Sequence, residues 1–214
     1  MQSPGLLLSF AKENKLDLPE NFMDKILEFC ELLLEANKGT NLVSKKDSQK
    51  LLTRHVADSL VFAVYCLNRG LPINRANNWA DIGSGAGFPV VPLCLCFKES
   101  KFFAIDSRRK RCEFLEAAKQ KLNLRNLEVV LGKAESLNFR DMDIVSCRAV
   151  GSLEADFERA KMLLKKGGHF LTLKSKRIIC EMQAHGSKLL NQAKIFDYKL
   201  PNEEMEYALA HITL

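Results

Sequence analysis

Asp81-Ile82-Gly83-Ser84-Gly85-Ala86-Gly87-Phe88-Pro89 is the stretch that decides how this 214-residue chain is read. It follows a short apolar run, WADI, and leads into another, VVPLCLC, the texture of a strand, a glycine loop and a helix. Glycines on alternate positions let the backbone turn sharply and approach a ligand at the carboxyl end of the strand, where doubly wound sheets bind. Two phosphate-binding loops are excluded by spacing. A dinucleotide fingerprint asks for glycine where Phe88 stands, and a Walker loop needs a Gly-Lys-Ser/Thr that is absent. Asp81, at the strand end, would repel a pyrophosphate but suits an ammonium or sulfonium cation.

Downstream, short apolar runs alternate with helical stretches. KFFAID (101–106) precedes a helix over 108–122, and LEVVLG (127–132) follows it. MDIVSCRA (142–149) precedes a helix over 153–164, and HFLTLKS (169–175) one over 177–191. Such alternation predicts βαβ units and a mostly parallel sheet covered on both faces. AKIFDYKL (193–200) and EYALAHITL (206–214) are too close for a parallel crossover and should pair as an antiparallel hairpin. Upstream, Phe22, Ile26, Phe29 and Leu33 recur at helical spacing over 19–36, with Pro19 near the start and Gly39 past the end. A second helix, capped by Asp47 or Ser48, should run through Cys66, and NRGLPINRANN (68–78) reads as a connector. The expectation is a small helical N-terminal extension (1–75) on a seven-stranded, doubly wound α/β domain (76–214).

Composition narrows the class. At 47% hydrophobic and 27% charged the chain has a globular balance, not a disordered or collagenous one. Seven scattered cysteines with no C-x-x-C exclude a zinc ribbon and fit reduced thiols in a cytoplasmic protein. LLLSF near the start lacks a basic leader and a cleavage site, and no run approaches the roughly 20 residues of a membrane span. The net charge of +6 is unevenly placed. Residues 37–75 carry seven Lys/Arg against two acids, 98–111 six against two, and 161–188 seven against one, whereas 1–36 hold three against seven. Pooled cations of this kind can face a polyanion.

Asp106 ends the second strand 19 residues after Gly87, the position from which a carboxylate accepts ribose hydroxyls. With Ser107 it can equally cap the next helix. The D-x-G-x-G-x-G loop, Asp106, Ala134-Glu135 after strand three and SCRA after strand four resemble a class I S-adenosylmethionine-dependent methyltransferase, a Rossmann-like fold. More narrowly, TNLVS, RHVADSL (54–60), DIGSGAGFPVVPL, DSRRKRCEFL (106–115), GKAE and Ser146-Cys147-Arg148-Ala149, in this order, resemble the RsmG (GidB) family of bacterial 16S ribosomal RNA guanine-N7 methyltransferases. Val90 and Ser175 stand where that family commonly has glycine.

The resemblance implies an S-adenosyl-L-methionine site at Gly83, Gly85, Gly87, Phe88, Asp106, Ala134, Glu135 and Arg148, with Arg54, His55 and Lys174 toward the substrate. Its partner would be 16S ribosomal RNA or a small-subunit particle, with the protein acting as a monomer without metal or membrane. Guanine N7 carries a lone pair and no proton, so no general base is required, and Arg148 is the residue nearest a catalytic role. After strand four the chain lacks the Asp/Asn-Pro-Pro-aromatic motif used on exocyclic amines. Cys147 is expected as a buried filler, and His169 and His185 as structural or solvent-facing. In the helix expected around RHVADSL, Arg54 and Asp58 are i,i+4, as are His55 and Ser59. Lys45, Lys46, Lys50 and Arg54, then Arg108, Arg109 and Arg111, then Lys174, Lys176 and Arg177 are expected to cradle RNA phosphates. Two other classes compete: an NAD(H)-binding Rossmann protein and a small-molecule methyltransferase.

Overall fold

A computed structural model of the chain describes residues 4–73, 77–138, 140–148, 151–184 and 186–214. The sheet has seven strands: β1 (Asn78–Ile82), β2 (Lys101–Asp106), β3 (Leu127–Leu131), β4 (Met142–Arg148), β5 (Leu164–Ser175), β6 (Lys194–Lys199) and β7 (Glu206–Thr213). Their order is β3-β2-β1-β4-β5-β7-β6, with β7 antiparallel to both neighbours and every other pairing parallel. The expected terminal hairpin is therefore present, with β7 inserted beside β5. The strand order reverses between β1 and β4, which pair directly (Ile82 with Cys147), and a cleft opens outside their carboxyl ends.

Alternation along the strands divides the core. Trp79, Phe102, Ala104 and Ile144 share one apolar cluster with α2 (Phe22–Asn37), α4 (Ala57–Arg69), α5 (Val90–Cys96) and α6 (Arg109–Leu122). Ala80, Ile82, Phe103, Ile105, Val145 and Cys147 face the other way, with α7 (Leu153–Lys161) and α8 (Lys176–Ala184). The N-terminal helices bury Phe22, Ile26, Phe29 and Leu33 in the same cluster as Trp79, so their packing is continuous with the sheet.

Several boundaries differ from the sequence expectation. Pro4–Glu13 forms α1, a helix the pattern did not suggest, which buries Leu7, Phe10 and Ala11. The cap before the second helical stretch is Ser44, whose hydroxyl accepts the Asp47 N–H at 3.1 Å; it is not Asp47 or Ser48. It starts a single turn, α3 (Lys45–Ser48), and Leu51–Val56 then winds as a π-helix before α4 begins. The helices expected to reach 164 and 191 end at Lys161 and Ala184, with Leu190–Gln192 a separate 3₁₀ turn. The expected boundary at 75/76, Ala149 of the SCRA motif and His185 lie outside the described residues. Among the described residues no helix is long and apolar enough to cross a membrane.

Candidate active site

The cleft at the sheet's carboxyl edge encloses about 1150 Å³. A drug-sized ligand needs roughly 300–1,000 Å³, so there is room for a nucleoside cofactor and part of a second group. Gly83, Gly85, Phe88, Asp106, Ala134, Glu135, Arg148, Arg54, His55 and Lys174 all line it. The fold thus brings together all but one of the expected site residues.

The exception is Gly87. It does not line the cleft, and a Cβ there would lie 2.9 Å from Phe29 Cζ and 3.0 Å from Val91 Cγ2, at φ +87°. Glycine is required here so that Phe29 of α2 and Val91 of α5 can pack against the back of the loop. At the front, the N–H groups of Gly83 and Ser84 bond Ile105 O at 2.8 and 3.1 Å, and Gly85 N–H donates to Asp106 Oδ2 at 3.0 Å. Asp106 Oδ1 accepts Arg108 N–H at 2.9 Å, so the capping role is real and coexists with a place on the cleft wall.

Asp81 is 1% exposed. Its Oδ1 accepts the Ser146 hydroxyl at 2.7 Å, and that oxygen in turn accepts Trp79 Nε1–H at 2.8 Å. Its Oδ2 has no partner, and burial pushes the carboxyl pKa up to about 7. Asp81 does not itself line the cleft; it lies directly behind the lining stretch Ile82–Ala86, where a buried orphan acceptor favours a cation on the loop. Together with the Asp106 carboxylate and the small 3₁₀ turn Ala134–Ser136, these residues fit the ammonium, ribose and base of S-adenosylmethionine.

The other half of the cleft is aromatic and ionic. His55 stacks on Phe88 (centroids 5.2 Å apart, 26° between planes), and the Arg148 guanidinium lies 5.4 Å from the same ring. Arg148 Nη1 donates to Asp58 Oδ2 at 3.3 Å, and the Tyr198 hydroxyl donates to Asp58 Oδ1 at 2.5 Å. Burial, then the nearby Arg148 charge, push His55 down to about 3, so its imidazole is neutral near pH 7. Neither of its ring nitrogens has a hydrogen-bond partner, Nε2 being 3.6 Å from Asp47 Oδ1. Arg54 and Asp58, i,i+4 in sequence, take different ion-pair partners: Arg54 lies 3.6 Å from Asp47, and Asp58 pairs with Arg148 at 3.3 Å. Tyr198 carried no sequence signal, because only the fold brings β6 beside α4.

Lys174 departs from its expected role as a phosphate contact. Its side chain is 6% exposed, and its ammonium donates to Asp156 Oδ2 at 3.0 Å and Gly151 O at 2.7 Å. Lys50 pairs with Glu203, and Lys176 with Asp197 and Glu206. Cys147 is buried, with its thiol pushed well up by desolvation, and His169 bonds His211 at 3.1 Å. Val90 is buried in α5 away from the cleft, whereas Ser175 lines it, and its hydroxyl accepts the Ile178 N–H at 3.4 Å. No group of three or more metal-ligating side chains occurs among the described residues.

The family model described as rRNA small subunit methyltransferase G (GidB) matches residues 23–205. A ribosomal RNA small subunit methyltransferase G from Ectopseudomonas mendocina is 34% identical over 179 residues, covering 83% of this chain and 81% of its own. One from Listeria monocytogenes is 31% identical over 210 residues, covering 94% and 86%. Among solved structures, a SAM-dependent O-methyltransferase from Thermotoga maritima aligns with TM-score 0.54 at 18% identity, covering 86% of this chain and 71% of its own. A precorrin-6y C5,15-methyltransferase from Geobacter metallireducens gives 0.54 at 13%, covering 81% and 91%. These two likenesses carry the fold alone.

Proposed function

The chain belongs to the rRNA small subunit methyltransferase G (GidB) family, and from that membership we propose that it methylates guanine N7 in 16S ribosomal RNA, using S-adenosylmethionine. The observation that supports the cofactor half is the unpartnered, buried Asp81 Oδ2 beside the glycine loop. When bound, S-adenosylmethionine supplies an electrophilic methyl group. Asp81 would hold its ammonium, Asp106 its ribose, and Ala134 with Glu135 would flank its adenine.

The remaining residues orient the base. N7 needs no proton removed, so the work is alignment, which a rigid Phe88–His55–Arg148 stack can provide. A neutral His55 suits this role better than that of a base. Methylation makes the guanine ring cationic, and a lone Arg148 would oppose that charge; Asp58, bonded to Arg148, offsets it. N7 lies in the deep, narrow major groove of an RNA duplex, so the target must be unpaired or distorted. Residues 1–75 serve in this reading as a helical extension that supplies Arg54, His55 and Asp58 to the cleft mouth of the 76–214 methyltransferase domain.

Equilibrium binding followed by methyl transfer tests the proposal. S-adenosylmethionine should bind and NADH should not, and label from the methyl group should pass to 16S ribosomal RNA. NADH binding without S-adenosylmethionine affinity would point to a Rossmann redox protein. Methylation of a small molecule, insensitive to salt and RNA, would point to the third class.

A further inference from the structure

Asp106 is already engaged on the side where the ribose belongs. Two of its three donors, Gly85 N–H and Arg108 N–H, are backbone groups that fix the loop and the start of α6. The third is Arg111, whose Nη1 donates to Oδ2 at 3.3 Å. The same nitrogen lies 3.5 Å from where a Gly85 Cβ would stand, so the guanidinium fills the strip between the glycine loop and Asp106. The Asp106 side chain is 3% exposed and cannot turn elsewhere, whereas Arg111 is 28% exposed, with solvent on one side. A ribose hydroxyl can replace a long, half-exposed side chain far more easily than a backbone donor.

Arg111 also closes a run of four cations, Arg108-Arg109-Lys110-Arg111, at the start of α6, whose first turn has no acid. The helix dipole opposes cations there. Asp106 compensates Arg111 while the two are in contact. Once displaced, Arg111 would need another anion, and it would stand at a cleft rim that Arg108 also lines.

We propose that Arg111 is a two-position residue coupling cofactor to RNA: it covers Asp106 in the free protein and is turned by the bound ribose toward an RNA phosphate. This rests on the methyltransferase reading of the cleft. Coupling of this kind is reciprocal, so the cofactor tightens RNA binding by the same factor as RNA tightens cofactor binding.

The test is equilibrium binding of S-adenosylhomocysteine, which cannot react, and of a 16S ribosomal RNA transcript, each alone and with the other saturating. Wild type, Arg111→Ala and Arg111→Lys are compared, with thermal unfolding to verify that each variant folds. Arg111→Ala should bind S-adenosylhomocysteine alone as tightly as wild type or up to about five-fold tighter, the scale of a partly exposed ion pair. Its RNA affinity without cofactor should match wild type, and the gain in RNA affinity on adding S-adenosylhomocysteine should vanish. The salt slope of RNA binding by the loaded protein should flatten by about 0.7–0.9, one phosphate contact. Arg111→Lys should keep part of the coupling. A coupling factor of one in wild type, the same factor in wild type and Arg111→Ala, or markedly weaker S-adenosylhomocysteine binding by Arg111→Ala would each overturn the proposal. Failure of wild type to bind S-adenosylhomocysteine would instead overturn the methyltransferase reading, and this proposal with it.

Discussion

Asp81 has one carboxyl oxygen bonded to Ser146 and the other bonded to nothing, and burial raises its pKa to about 7. An unfolded aspartate titrates near 3.9, so the native protein holds this proton where the unfolded chain has lost it. Its contribution to stability is complete below about pH 4 and is lost as pH rises through about 7. A ligand ammonium reverses the preference by favouring the ionised form. S-adenosylmethionine affinity should therefore rise as pH approaches about 7 and fall again as the ligand's own ammonium loses its proton at about pH 8, and Asp81→Asn should remove the rise; a flat calorimetric profile for wild type would contradict this. Lys174 teaches the opposite lesson. Its charge is visible in sequence and its burial is not, because Asp156, its partner, lies on a different element, α7. Asp156 keeps Arg159 on its other oxygen, at 2.5 Å, so Lys174→Ala should cost about 1–3 kcal/mol in denaturant unfolding for the one carboxylate oxygen and the Gly151 carbonyl it leaves unpaired, rather than merely weakening RNA binding.

The glycine loop is a joint between elements as much as a ligand cradle. Gly87→Ala would drive a methyl into Phe29 and Val91 at a backbone angle that favours glycine. It should destabilise the protein by about 1–3 kcal/mol in thermal unfolding and weaken cofactor binding through the displaced loop. An unchanged melting temperature would detach α2 from the site. The strands and most helices were legible in the sequence, since buried parallel strands such as KFFAID and MDIVSCRA stand out against charged helices. The π-helical Leu51–Val56 was not, because a wider turn depends on tertiary packing and leaves no spacing of its own. Asp58 meets Arg148 and Tyr198, on β4 and β6, contacts that no spacing within its own helix signals. The glycine loop and Asp106 stand out as one loop and a strand end, and Arg54, His55 and Arg148 come from the family resemblance; Tyr198 and the Asp58–Arg148 contact, joining three distant segments, leave no mark in the sequence.

Across the whole molecule, the pooled positive charge is partly neutralised from within. Lys50, Arg54, Lys174 and Lys176 all pair with acids of the same chain, whereas Lys45 and Lys46 stand exposed on α3 and Arg108–Lys110 at the start of α6. If RNA phosphates meet the exposed set, Lys46→Ala should flatten the salt slope of RNA binding by about 0.7–0.9, and Lys176→Ala should leave it unchanged. Equal slopes in wild type and Lys46→Ala would remove α3 from the RNA surface. The central claim is tested most directly by mass mapping of modified nucleotides in 16S ribosomal RNA from cells with and without this protein. One 7-methylguanosine should be present with the protein and absent without it. Identical modification maps, or the loss of a different methylated nucleotide, would contradict the account.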